Sequence, residues 1–174
     1  LPRELLRTNR SGAYACSTIV DCNTRTYHGL LVVPIPELDD ENHVLLSSLD
    51  PTVIQHGAAF NLGLHKYQGG DFSPKGHKYI REFDCDKVPT TLYRVGNAIL
   101  RKEVVFQHYE DRILIRYTLV EGAPQTILQF RPFLAFRSVK EFTHENAGIN
   151  KDFHNAENGI ATCLYEGYPQ LFMQ

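Results

Sequence analysis

The chain has 174 residues, 43% of them hydrophobic and 22% charged, enough for one sizeable core and too few for two ordinary domains. A net charge of −2 leaves no basic stripe to attract phosphates, which excludes nucleic acid as a partner. No apolar run approaches the roughly 18 residues that span a bilayer, so no membrane partner is expected either.

Cys16, Cys22, Cys85 and Cys163 are few and irregularly spaced, without a CxxC pair. That pattern argues for free thiols and against a secreted disulfide scaffold, and a cytoplasmic location is expected. The eight histidines contain no HxxxH or HExxH pairing, so neither a metal nor another cofactor is expected. Leu1 to Arg10 is charged rather than signal-like; because the first residue is Leu rather than Met, the natural N-terminus is left open.

In chain order, Ala13 to Val20, His28 to Val33 and Val44 to Leu49 read as strands. From Gln55 to Gly76 five glycines and Pro74 interrupt either period, predicting a long loop with room for one strand. Lys78 to Asp84 is a further strand. The stretch from about Thr91 to Phe136 reads as a four-strand antiparallel meander, rich in β-branched and aromatic residues. Gly96-Asn97 closes its first hairpin with a primed turn, and Glu110-Asp111 and Glu121-Gly122-Ala123-Pro124 close the next two. Ile113, Ile115, Tyr117 and Leu119 share a face of the third strand. Leu128, Phe130, Leu134 and Phe136 share a parity in the fourth, where Pro132 marks an edge or a bulge.

Val139 to Gly159 is a polar segment expected to be functional or disordered. Thr162 to Tyr165 and Tyr168 to Met173 look like a hairpin whose second strand stops abruptly. The sheet is therefore expected to be truncated there, with an open edge that favours self-association. The fold class expected is all-β, an antiparallel β-sandwich forming one incomplete domain over residues 1–174.

Six segments carry a family resemblance. Thr8-Asn9-Arg10-Ser11-Gly12-Ala13-Tyr14, followed by Asn23-Thr24-Arg25-Thr26-Tyr27-His28-Gly29-Leu30-Leu31-Val32, is similar to the signature that opens the N-terminal domain of bacterial and archaeal glycogen debranching enzymes. Gly76 to Phe83, Tyr93 to Gly96, Arg131 to Arg137 and Thr143-His144-Glu145-Asn146 resemble later landmarks of that family. The chain departs from it in having Gly12-Ala13-Tyr14 for Gly-Gly-Tyr, and Leu5 or Leu6 where a tryptophan stands upstream.

The resemblance implies a β-supersandwich followed by a helical (α/α) toroid, in an amylo-α-1,6-glucosidase that removes glucose at branch points and in some relatives also transfers glucan chains. Such hydrolysis needs two carboxyl groups held across the scissile bond. The resemblance places both in the helical domain, outside this chain, so no residue here is expected to be catalytic. The implied partners are that C-terminal helical domain and an α-glucan. Glu103, Glu141 and Glu145 are the carboxylates that come forward here, but spacing sets no two of them across a substrate.

The signature loop offers groups suited to sugar hydroxyls. Arg25 has a planar fork of donors, Asn23 both donor and acceptor, and Tyr27 an apolar face with a polar tip. If Leu30 enters the core, period two puts Val32 and His28 on its side, with His28 at the sheet's rim and Tyr27 facing the other way. Substrate-binding or domain-interface roles are thus open for Asn9, Asn23, Arg25, Tyr27 and His28, and for His144, Glu145 and Asn146 in the polar segment. The same residues serve equally well to hold a turn and a domain contact. Three functions compete: an accessory domain completing the glucan site, an autonomous carbohydrate-binding module, and a docking domain. The absence of tryptophan counts against the second.

Overall fold

The computed structural model describes residues 3–144 and 146–174, and these fold almost wholly into antiparallel strands. The first sheet starts with β1 (Glu4–Thr8), paired to β2 (Tyr14–Thr18), and continues through β3 (Gly29–Pro34) to β4 (Asn42–Gln55). β4 is long enough to take two partners on one side, with β3 along its first half and β5 (Ala58–Asn61) along its second. Pro51 falls in the gap between the two: β3 is paired as far as Leu46 and β5 begins at Thr52. Its carbonyl still accepts the Leu62 N–H at 2.9 Å, so the strand forgoes there only the donor that proline lacks.

Beyond β5 come two short strands, β6 (His65–Lys66) and β7 (Phe72–Ser73), and a 3-10 turn over Gly76–Tyr79. The Gln55 to Gly76 loop therefore holds three strands where one was allowed for. The second sheet contains β8 (Ile80–Asp84), β9 (Thr90–Val95), β10 (Ala98–Phe106) and β11 (Ile113–Glu121), in the order β11-β10-β9-β8. Gly96 takes a φ of 57° between β9 and β10, the left-handed backbone that a tight primed turn demands.

The expected four-strand meander is corrected at its last member. β12 (Ile127–Ser138) leaves the second sheet and pairs with β4, from Ile127 opposite Ile54 to Ser138 opposite His43. The Gln55 side-chain amide donates to Thr126 Oγ1 at 3.0 Å, fastening the start of β12 beside the end of β4. β8 takes the vacant place at the other edge of the meander. Alternation along a strand shows that one face is buried but does not say in which sheet.

Pro132 fits its strand, because β12 has β4 as its one neighbour and its register shifts just beyond, after Phe133 and again after Leu134. Those shifts break the expected parity: Phe130 is left 43% exposed, while Phe136, at a φ of 47°, is fully buried. Ile113, Ile115 and Tyr117 face inward to varying degrees, and Leu119 lies open.

The polar segment after β12 ends in β13 (Phe153–Ala156), which with β14 (Gly159–Thr162) and β15 (Leu171–Met173) makes a third sheet. The C-terminal hairpin is present, its first strand starting at Gly159. One core gathers Ala13, Leu31, Val33, Ile35, Leu45, Leu46, Phe106, Phe136 and Leu171. A second joins Val53 and Leu62 to Tyr93, Val95 and Leu100 of the second sheet. Among the described residues no helix is long and apolar enough to cross a membrane.

Candidate functional site

The site is built where β1 and β2 meet the loop that leads into β3. In antiparallel register Leu6 lies opposite Cys16 and Thr8 opposite Tyr14, and the row continues from Tyr14 through Val32 and Val44 to Arg137. These residues share one face of the first sheet. The opposite face of β1 and β2, with Leu5, Arg7, Ala15 and Ser17, turns to the second sheet and lines a mostly apolar cavity of about 80 Å³ against Phe83, Pro89 and Val104.

Asn9 is fully buried and spends its side chain inside the protein. Its Oδ1 accepts the backbone N–H groups of Ser11 at 2.8 Å and Ala13 at 3.0 Å, shaping the β1–β2 turn. Its Nδ2 donates to the Glu110 carbonyl at 3.1 Å and to Asp111 Oδ1 at 3.0 Å, which ties that turn to the one between β10 and β11. Asn23 is similarly engaged: it accepts from the Ser17 hydroxyl at 2.7 Å and donates to the Ser47 carbonyl at 2.8 Å and hydroxyl at 3.0 Å.

His28 is also fully buried, rather than standing at an open rim. Leu31 and Val33 enter the first core, Leu30 stays at its margin, and Val32 is fully buried on the opposite face. His28 Nδ1 accepts the backbone N–H of Thr24 at 3.1 Å, which leaves the proton on Nε2. Nε2 lies 3.4 Å from Glu4 Oε1 without making a hydrogen bond to it. Burial pushes the imidazole below its ordinary pKa against the opposing pull of Glu4, so it is neutral at neutral pH.

Glu4 is the hub of the group. Tyr27 donates its hydroxyl to Glu4 Oε2 at 3.3 Å, and Arg25 Nε lies 3.5 Å from Oε1. Partial burial works against ionisation of Glu4, but His28, then Tyr27 and Arg25, outweigh it and hold the carboxyl below its ordinary value. Arg25 and Tyr27 are exposed, and the Tyr14 hydroxyl donates to the Tyr27 carbonyl at 3.0 Å. Burial, with Cys16 adding to it, pushes the Tyr14 phenol up to about 12, so it remains a donor.

Glu4, Cys16 and His28 bring a carboxylate, a thiol and an imidazole within 4.8 Å of one another, a spacing that raises the question of a metal. The donor chemistry does not fit one. A ligating imidazole uses a bare nitrogen and donates through the other ring N–H. Here the far nitrogen already accepts from Thr24, so Nε2 holds its proton and has no lone pair to give.

His144 and Asn146 lie in the segment after β12. Asn146 Nδ2 donates to the His144 carbonyl at 3.2 Å and to the Tyr165 hydroxyl at 3.0 Å, and its Oδ1 accepts from Gly148 at 3.0 Å. These bonds run toward the third sheet, not to the 23–28 loop; His144 is exposed, and Glu145 lies outside the described residues. Arg137 links this segment to the site's face, as its NH1 donates to the carbonyls of Ser138 and Glu141, both at 2.9 Å, and its guanidinium stacks on Phe142. Glu103 is clamped through two 2.9 Å bonds by Arg116, which lowers its pKa and keeps it ionised.

The structure thus brings Arg25, Tyr27 and His28 together, gives Asn9 to the β1–β2 turn and Asn23 to the link with Ser17 and Ser47, and leaves His144 and Asn146 apart. Glu4 was missed by the sequence reading, where nothing but its charge in an early amphipathic stretch could have flagged it. No curated protein and no solved structure matches the chain. The model of the family described as glycogen debranching enzyme N terminal, however, matches residues 3–174. With that match over an all-β sandwich that carries the Asn9 and Arg25–His28 signature, the chain belongs to the glycogen debranching enzyme N-terminal family.

Proposed function

We propose that this chain is the accessory domain of an amylo-α-1,6-glucosidase, completing the glucan site from one side and supplying no acid or base to the hydrolysis. The observation that carries the reading is the exposed pair of Arg25 and Tyr27 around Glu4, beside the buried His28. An aromatic face, a guanidinium and a carboxylate together suit neutral polyols. The two carboxyl groups of hydrolysis come from the helical domain, and the enzyme works in the cytoplasm.

A docking role for the same face is the second reading. Leu6 and Phe142 are 57% and 63% exposed, and apolar side chains of that size gain from being covered. The two roles are compatible where the glucan site lies at the seam with the helical domain.

Calorimetric titration of the chain with maltoheptaose and a branched limit dextrin, run beside a glucose-release assay, tests the proposal. Saturable binding without released glucose is the expected result. Turnover by the chain alone would sink the accessory reading, and silence in both assays would leave the docking role in its place.

A further inference from the structure

Three donors converge on the Glu4 carboxylate, and none reaches it at full strength. Tyr27 Oη, His28 Nε2 and Arg25 Nε lie at 3.3, 3.4 and 3.5 Å. Charge-assisted N–H···O⁻ bonds close to roughly 2.7–2.9 Å when nothing holds them apart. An ionised carboxylate accepts about four bonds, so Glu4 keeps acceptor capacity on its solvent side. Behind it, His28 Nε2–H has no hydrogen-bond partner and is shut off from water, a buried donor 3.4 Å from the carboxylate.

The charge of the group selects its ligand. A carboxylate at the centre repels phosphates and other anions, and Arg25, the cation in contact with it, balances that charge without exceeding it. A neutral molecule whose hydroxyls both donate and accept satisfies the set: it donates to Glu4 and accepts from Arg25. The exposed ring of Tyr27 stands beside them as an apolar platform.

We infer that Glu4 is the hydroxyl-reading group of the site, accepting from adjacent hydroxyls of one glucose unit while Arg25 donates to them and Tyr27 packs against the ring. This inference rests on the glucan-contact reading above. His28 is a positioning residue: fixed by Thr24 and fully buried, with Nε2 3.4 Å from Oε1, it closes off the inner side of the carboxylate and leaves the solvent side to a ligand. The groups facing Glu4 are His28, Arg25 and Tyr27 from the loop and Cys16 from β2.

The test is titration of the whole chain with maltoheptaose while the side-chain carboxyl resonances are followed by carbon NMR. The Glu4 carboxyl signal is expected to move with saturation, and Glu4→Gln to weaken binding about tenfold or more with its thermal unfolding recorded alongside. An unmoved Glu4 signal at saturation, or undiminished affinity in a folded Glu4→Gln, overturns the assignment and leaves the glucan reading standing. Absence of any saturable binding by the unaltered chain overturns both.

Discussion

At the scale of residues, the site rests on burying polar groups whose bonds are made inside the protein. Asn9 is framework because an amide with both lone pairs and both protons committed has nothing left for a ligand, and Asn23 has both protons and one lone pair committed. His28 is held neutral by burial, which has a consequence in pH. The unfolded imidazole takes a proton near its ordinary value of about 6.5, whereas the folded one refuses it until a lower pH. The unfolded chain therefore binds more protons below about pH 6.5, and stability falls as pH drops from there toward the folded pKa. Glu4 acts in the same direction further down, since a depressed carboxyl loses its stabilising effect as pH falls through its folded value. Thermal unfolding at pH 7.5 and 5.0 is expected to show a lower midpoint in acid. His28→Gln should flatten the upper part of that decline, and an unchanged slope would remove His28 as its source.

Residues 23–28 were legible as a polar cluster because they are adjacent in the chain. Glu4 was not: it reaches Tyr27 across 23 positions, and only the pairing of β1 with β2 together with the return of the 23–28 loop brings it there.

At the scale of elements, the short alternating runs announced most of the strands, and tight turns such as Gly96-Asn97 announced one hairpin outright. Partnership was less legible. β12 follows β11 in sequence yet joins the other sheet, because its partner is chosen by the long flank of β4 and by the Gln55–Thr126 bond at the crossing. The bulges that follow turn Phe136 into the first core, where it packs beside Tyr168 with ring centroids 5.5 Å apart. Phe136→Ala is expected to cost about 3–5 kcal/mol in urea unfolding, the usual range for emptying a buried aromatic site. The same change at Phe130, which lies half open, should cost well under half as much; equal losses would mean that the bulge does not set which ring is core.

At the scale of the whole molecule, the two main sheets are pinned as well as packed. Lys102 of β10 is buried, and its Nζ meets Asp21 Oδ2, on the loop after β2, at 2.6 Å. Burial opposes the charge on Lys102, but Asp21 more than restores it, so its pKa is raised and the ammonium persists. Asp21→Ala strands that ammonium and is expected to cost about 3 kcal/mol, whereas Lys102→Met leaves a half-exposed carboxylate that water can serve and should cost clearly less. Denaturation midpoints of the two variants check the order, and a reversed order would deny the pair its place as a cross-sheet tie.

By itself the sequence determined what depends on neighbours in the chain: strand-forming alternation, tight turns, a charge balance without a basic stripe, and a signature whose family the chain belongs to. The tertiary structure decided what depends on distant segments meeting. It placed β12 in the first sheet, bent alternation at the bulges, buried His28 and Asn9 as framework, and set Glu4 among Arg25, Tyr27 and His28. The reason is physical: local periodicity fixes which face of a strand is buried, but register and sheet choice follow from the packing of the whole core.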